Sequence, residues 1–221
     1  MYRQGVPRTP DPDVRRRLVE RAARMLADRE PVTLRSLVAG TGASTMAVYT
    51  HFGGMPGVWR AVRQEGFTRL GERLAAVPRT DDPVHDVAAL GVAYAANALD
   101  SPALYRAMFD AVAELEDPAV ADRGLAVLVE ATARARAAGR LAADADPAAV
   151  ATRSWLAGHG LLSLVVQGVL PRDVVPEHSV ETAVALLTAA GDDPAACRAS
   201  VTRAWHLPAS GRPGVRPEPG H

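Results

Sequence analysis

TLRSLVAGTGASTMAVYTHF, residues 33–52, is the stretch on which the fold turns. Thr33 is a helix-capping residue, and Leu34, Leu37 and Val38 behind it lay an apolar stripe along a short helix that Gly40 ends. Only Thr41, Gly42 and Ala43 separate that stop from Ser44, a second cap. Beyond Ser44, Ala47 and Val48 supply a core face, while Thr45, Met46 and Thr50 fall on or near the outer face. Two short helices joined by a tight glycine-containing turn are the signature of a helix-turn-helix, whose second helix fits the DNA major groove.

Working outward, Val14, Leu18, Ala22, Met25 and Leu26 keep a helical period, with Arg15, Arg16, Arg17, Arg21 and Arg24 distributed around it. Pro7, Pro10 and Pro12 hold the chain before it extended. On the other side, Pro56 stands at the first turn of a long helix through Val58, Trp59, Val62, Phe67, Leu70 and Leu74. The pattern predicts a flexible arm over residues 1–12 and a three-helix helix-turn-helix domain, with its connecting fourth helix, over 13–75. Pro78 and the run Asp81, Asp82, Pro83 then break the chain. Alanine-rich helices are predicted over 84–98, 102–113, 118–138, 147–167 and 178–190, with proline or glycine at every break. No strand-like alternation persists, so the fold class is all-α, with an antiparallel helical bundle over 76–190 following the head. From Gly191 the pattern weakens, and 207–221 holds four Pro and three Gly. Residues 191–221 are therefore expected to form a largely flexible tail, with a short helix near 195–205 its one candidate element.

The 221 residues are 48% hydrophobic and 23% charged, enough for one or two domains with a real core. The net charge of zero hides a split. Residues 1–75 carry 13 Arg against 7 acidic residues, a net of +6, and residues 76–221 carry 12 against 18, a net of −6. A positive head on an acidic body points the head at a polyanion. The single cysteine, Cys197, excludes an intramolecular disulfide and a paired-thiol metal site, which fits a reducing cytoplasm. The start of the chain has no apolar signal core, and the apolar run near Leu161 to Val166 is far short of a membrane span, so no membrane partner is expected.

Catalytic patterns are missing: there is no GxGxxG after a strand, no phosphate loop, no HExxH and no GxSxG. Glu114, Glu116 and Asp117 cluster without a partner base, and the six histidines have no metal-ligand spacing, although the fold could bring His85 and His159 together. Neither an enzyme nor a metal or cofactor is expected. In the larger domain Tyr94, Tyr105, Met108, Phe109, Trp155 and His159 offer aromatic, soft and polar surfaces suited to a pocket between bundled helices. Trp155 and His159 lie one turn apart and serve equally well as a hydrogen-bonded core pair.

At Gly42 to Phe52, GASTMAVYTHF, the chain resembles the TetR family of bacterial transcriptional regulators, and the order of features from 14 to 60 follows the family's head. Ala43 stands where the family has Val, and Met55 where many members have a Lys that touches the DNA backbone. A second resemblance, at Trp155 to Leu161 and Pro102 to Phe109, is to the regulatory domain of a subgroup with a Trp…His-Gly signature. The resemblance implies a homodimer that binds a palindromic operator in double-stranded DNA and leaves it when a small-molecule effector changes the separation of the two heads. An activator, or a DNA-binding protein of the same fold without an effector, stays open beside the repressor.

On that reading Thr45 and Met46 face base edges, one through a hydroxyl and one through apolar contact with a thymine methyl. Thr50 lies beside them, and Ser44 offers a hydroxyl and the helix-start N–H groups to a phosphate. Tyr49, His51 and Thr33 match family positions that touch the DNA backbone, Phe52 belongs to the core, and Arg15 and Arg35 are candidates for further phosphate contacts. Similar proteins dimerise through their last two helices, which places Leu161, Leu164, Val165, Val184 and Leu187 at the interface.

Overall fold

The structure, a computed structural model, describes residues 11–28, 30–109 and 114–206. Residues 1–10 of the arm expected over 1–12, residues 110–113 of the predicted 102–113 helix and the chain beyond 206 lie outside these, while Asp11 and Pro12 of the expected arm are the cap and the first residue of the first helix. Asp11 opens α1 (Pro12–Ala27): its side chain accepts the Asp13 N–H at 2.9 Å, and Pro12 occupies the first turn, where a missing N–H costs nothing. The helices α2 (Leu34–Val38), α3 (Thr45–Phe52) and α4 (Met55–Ala75) follow. Then come α5 (Pro83–Asp100), α6 (Pro102–Met108), α7 (Ala119–Ala137), α8 (Pro147–Val166), α9 (Val174–Ala189) and α10 (Pro194–His206). No strand occurs among the described residues, and none of their helices is long and apolar enough to cross a membrane.

The chain divides into two compact units. One comprises the residues up to Ala75 together with Asn97–Ala126, the other Ala76–Ala96 together with the residues from Val127 on. The composition break at Pro78 therefore differs from the packing boundary, because α6 folds with the head. Leu104 belongs to the same buried cluster as Leu18, Leu37, Val48, Phe52, Val58 and Val62, and Ala107 packs against it. The close approach of α4 and α6 explains this: a β-carbon on Gly66 would stand 2.3 Å from Met108 Cγ. The Arg63 Nε–H also donates to the Met108 carbonyl at 2.8 Å, satisfying an acceptor at the α6 end.

In the second unit the stretch expected to be a flexible tail is in part a helix. α10 buries Cys197, Val201 and Ala204 along one face and packs on α9, where the Cys197 thiol lies 3.9 Å from the Val184 carbonyl. Burial raises the Cys197 pKa to about 11, so the sulfur serves as a small apolar core group.

A charged network joins the α5 start, the α7–α8 connection and the entry to α10. Arg140 reaches Asp192 through two nitrogens at 2.7 and 2.9 Å and Asp82 at 3.0 Å, while Asp82 also accepts from Ser200 at 2.6 Å and from Arg203. Asp82 caps α5 as well, accepting the Val84 and His85 N–H groups at 3.1 Å. Burial by itself raises the Asp82 pKa, but the Ser200 hydroxyl, the His85 N–H and the Arg140 charge outweigh it and hold the carboxyl below its ordinary range. Asp86 behaves alike: burial opposes ionisation, and the Thr80 hydroxyl and N–H with Arg134 more than compensate.

Arg140→Ala strands the Asp192 carboxylate, whose side chain is 1% exposed. It is expected to cost about 3 kcal/mol, read as a fall of roughly 10 °C in Tm by calorimetry. Asp82 and Asp86 have depressed folded-state pKa values, so their contribution is complete above the unfolded carboxylate value near ~4 and is lost as pH falls through the lower folded values. Thermal melts between neutral pH and pH ~2.5 should show that loss in the native chain and a shallower one in Asp82→Asn. Equal slopes would exclude Asp82 as a source.

Candidate nucleic-acid interface

The turn between α2 and α3 needs two residues at positive φ, and Gly40 at 72° and Gly42 at 73° supply them. Thr33 and Ser36 form a reciprocal cap: the Ser36 N–H donates to Thr33 Oγ1 at 3.2 Å and the Thr33 N–H to Ser36 Oγ at 2.9 Å. Ser44 caps α3 by accepting the Ala47 N–H at 3.2 Å. Val48 and Phe52, four apart, point inward and are buried. Ser44, Thr45, Met46, Tyr49 and Thr50 are exposed, Met46 at 69% and Tyr49 at 53%, with Met46 and Thr50 turned furthest from Val48 and Phe52. His51 is half-buried at the last turn.

The exposure is notable for Met46 and Tyr49, large apolar side chains that a free-standing surface does not call for. Tyr49 lies against the α3–α4 turn, its Cε1 3.6 Å from where a β-carbon of Gly54 would stand. Thr50 Oγ1 donates back to the Met46 carbonyl at 3.0 Å, so its proton is committed to the helix. The expected residues Thr33, Ser44, Thr45, Met46, Tyr49 and Thr50 are thus each exposed, at the starts of α2 and α3 and along α3, and His51 is half-buried.

Arg15 is placed differently from the phosphate contact foreseen for it. Its guanidinium lies 5.4 Å from the centre of the Phe52 ring and holds both Glu116 oxygens, at 2.5 and 2.6 Å. Arg35 is exposed on α2. Met55, in the position where a backbone-binding Lys was looked for, packs its side chain against the head's core.

The six expected pocket residues fall into two groups. Tyr105, Met108 and Phe109 belong to the first unit, where Tyr105 is 2% and Met108 0% exposed and Phe109 meets Phe67 and Tyr105 edge-on at 5.6 and 5.1 Å. Tyr94, Trp155 and His159 belong to the second unit and touch one another. Tyr94 Oη is 3.2 Å from His159 Nδ1, and the Trp155 ring stacks on the imidazole at 5.8 Å. Ser163 completes the group, its Oγ 3.3 Å from His159 Nε2. The sequence reading missed Ser163, although the spacing Trp155, His159, Ser163 puts all three on one helix face. Burial pushes the His159 pKa below its ordinary value, so the ring is neutral at neutral pH, one nitrogen donating and the other accepting.

Of the five residues expected at a dimer interface, Val165, Val184 and Leu187 are 6%, 8% and 0% exposed within one chain. Their apolar surface is already used, since α10 covers α9 and α9 packs on α8. Leu161 is half-buried, and Leu164 is exposed at 43% with Leu156 two turns earlier at 56%. Among the described residues no group of three histidine, cysteine or acidic side chains is arranged to hold a metal.

Residues 87–187 match the family model described as the tetracyclin repressor-like C-terminal domain. No curated protein matches the chain. Among solved structures, a protein of unknown function from Rhodococcus sp. RHA1 aligns with a TM-score of 0.69 at 23% identity, over 86% of this chain and 98% of that one. RolR in complex with resorcinol aligns at 0.60 and 17%, over 87% and 94%. TylP, a TetR regulator from Streptomyces fradiae, aligns at 0.58 and 22%, over 84% and 90%. At these identities the likeness is one of fold, and it extends over both units.

The helix caps and the exposed Met46 should separate in a stability assay. Thr33→Ala and Ser44→Ala are each expected to cost about 1 kcal/mol in chemical denaturation, whereas Met46→Ala stays within about 0.5 kcal/mol. A large loss from Met46→Ala would show that its side chain serves packing.

Proposed function

We propose that this chain, whose residues 87–187 form a TetR-type C-terminal domain, is a homodimeric transcriptional repressor that binds a palindromic DNA operator and is released from it by a small molecule. The observation that carries the reading is α3: a capped two-turn helix, anchored by Val48 and Phe52, that leaves Thr45, Met46, Tyr49 and Thr50 exposed within a segment, residues 1–75, of net charge +6. Thr45 and Met46 face the bases, and Ser44, Thr33, Tyr49 and His51 fix the register by backbone contacts.

Two copies are needed to read a palindrome. The exposed leucines of α8, Leu156 and Leu164, with Leu161 beside them, supply the surface for pairing. The small molecule engages the Tyr94, Trp155 and His159 group, where a flat indole and a neutral imidazole offer stacking and both hydrogen-bonding senses. Binding of resorcinol by RolR, on the same fold, supports an effector of modest size. Release requires that the effector favour the DNA-free arrangement, since equal affinity for both states shifts nothing.

The test is selection of duplexes from a random pool by the purified full-length protein at moderate salt. The expected product is a palindrome with half-sites about 10 bp apart or a multiple of that, bound by two chains in sedimentation. No enrichment over non-specific DNA would overturn the reading.

A further inference from the structure

The outward face of α3 is chemically unusual for a helix that reads bases. From Thr45 to Phe52 there is no arginine, lysine, asparagine, glutamine, aspartate or glutamate. The forked contacts that distinguish bases, guanidinium to guanine and amide to adenine, are closed to it. The hydroxyls are partly spent as well: Ser44 Oγ accepts the Ala47 N–H, and Thr50 Oγ1 donates to the Met46 carbonyl. The most exposed large apolar side chain is Met46, at 69%, with Tyr49 and Thr50 three and four positions on along the helix. On α2 the one charged side chain is Arg35.

We infer that α3 reads its half-site through the 5-methyl groups of thymine, with Met46 as the principal contact, so that the selected operator carries thymine where α3 lies. Thymine's methyl is the apolar group that a major-groove base edge offers, and it is the complement of a thioether and of threonine methyls. The occupant is duplex DNA because residues 1–75, which hold α1 to α4, carry a net charge of +6. A forked guanine contact from the α2–α3 pair falls to Arg35. The inference rests on the operator-binding reading above and adds the chemistry by which the sequence is chosen.

Uracil keeps every hydrogen-bonding group of thymine and lacks the methyl alone, which isolates the term. With the selected operator and the full-length protein, each thymine is replaced by deoxyuridine at symmetry-related positions in both half-sites, and affinity is measured by fluorescence anisotropy. At one or two positions the native chain should lose about fourfold per buried methyl, or roughly sixteenfold for the pair. Met46→Ala, at an exposed site, should bind natural operator more weakly and lose less than about twofold on the same replacement. Deoxyuridine tolerated within about twofold everywhere, or an undiminished loss in Met46→Ala, overturns the methyl readout while leaving operator binding intact. Failure to select any sequence overturns operator binding and this inference with it.

Discussion

The helix that carries the candidate site is held by a backbone contact that no side chain could replace. A β-carbon at position 57 would lie 1.7 Å from the Phe52 carbonyl oxygen, so the end of α3 and the start of α4 approach as closely as a glycine permits. Phe52 is thereby pressed into the head's core beside Val48, and Arg15 closes over its ring. With its last turn fixed in this way and its first turn capped by Ser44, α3 has little freedom to roll. Its residues divide into an inner and an outer set, and the division follows from sterics at Gly57 as much as from hydrophobicity. A helix of eight residues has little intrinsic stability in water, so this anchoring is what makes its outward face a defined surface.

The same constraint explains why the head extends into the middle of the chain. Glu116 holds Arg15 over Phe52, Gln64 Oε1 accepts the Asp117 N–H at 3.0 Å, and Met108 fills the space left open by Gly66. Glu116 and Asp117, an acidic cluster without a partner when read along the sequence, act one as a clamp on α1 and the other as a link to α4. Arg15 is consequently a structural cation of the head, and its charge is neutralised within the protein. On the proposed function, the charge that meets phosphate comes from exposed arginines elsewhere, such as Arg17, Arg24, Arg35 and Arg60.

Local signals made the head legible. Thr33 and Ser44 cap through bonds to residues three positions on, Gly40 and Gly42 turn the chain where φ is positive, and Val48 and Phe52 repeat at helical spacing; none of this needs a distant partner. The features that escaped depend on distant partners. Whether Met108 lines a cavity or fills a core is decided by Gly66, 42 positions away. Residues 194–206 read only as a short candidate helix near 195–205 inside an expected tail, because Gly191 precedes them and a proline-rich segment follows, although Cys197, Val201 and Ala204 keep the helical period. The packing of α10 on α9 is not legible locally, and the family resemblance places Val184 and Leu187 at a dimer interface, whereas both are buried within one chain.

Chemistry is distributed unevenly over the head. The arginines described between residues 11 and 75 lie on α1, α2 and α4, and α3 carries no arginine, lysine, aspartate or glutamate. On the proposed function this separates two properties that many DNA-reading helices combine. Attraction to the polyanion, which is salt-dependent and indifferent to sequence, belongs to the helices around α3. Choice among sequences belongs to the base-facing side chains of α3, which carry no charge and make their contacts only when shape and methyl positions fit. A mismatch under α3 then loses apolar contact without a compensating charge attraction from the same helix, so discrimination should stay steady as salt weakens overall affinity.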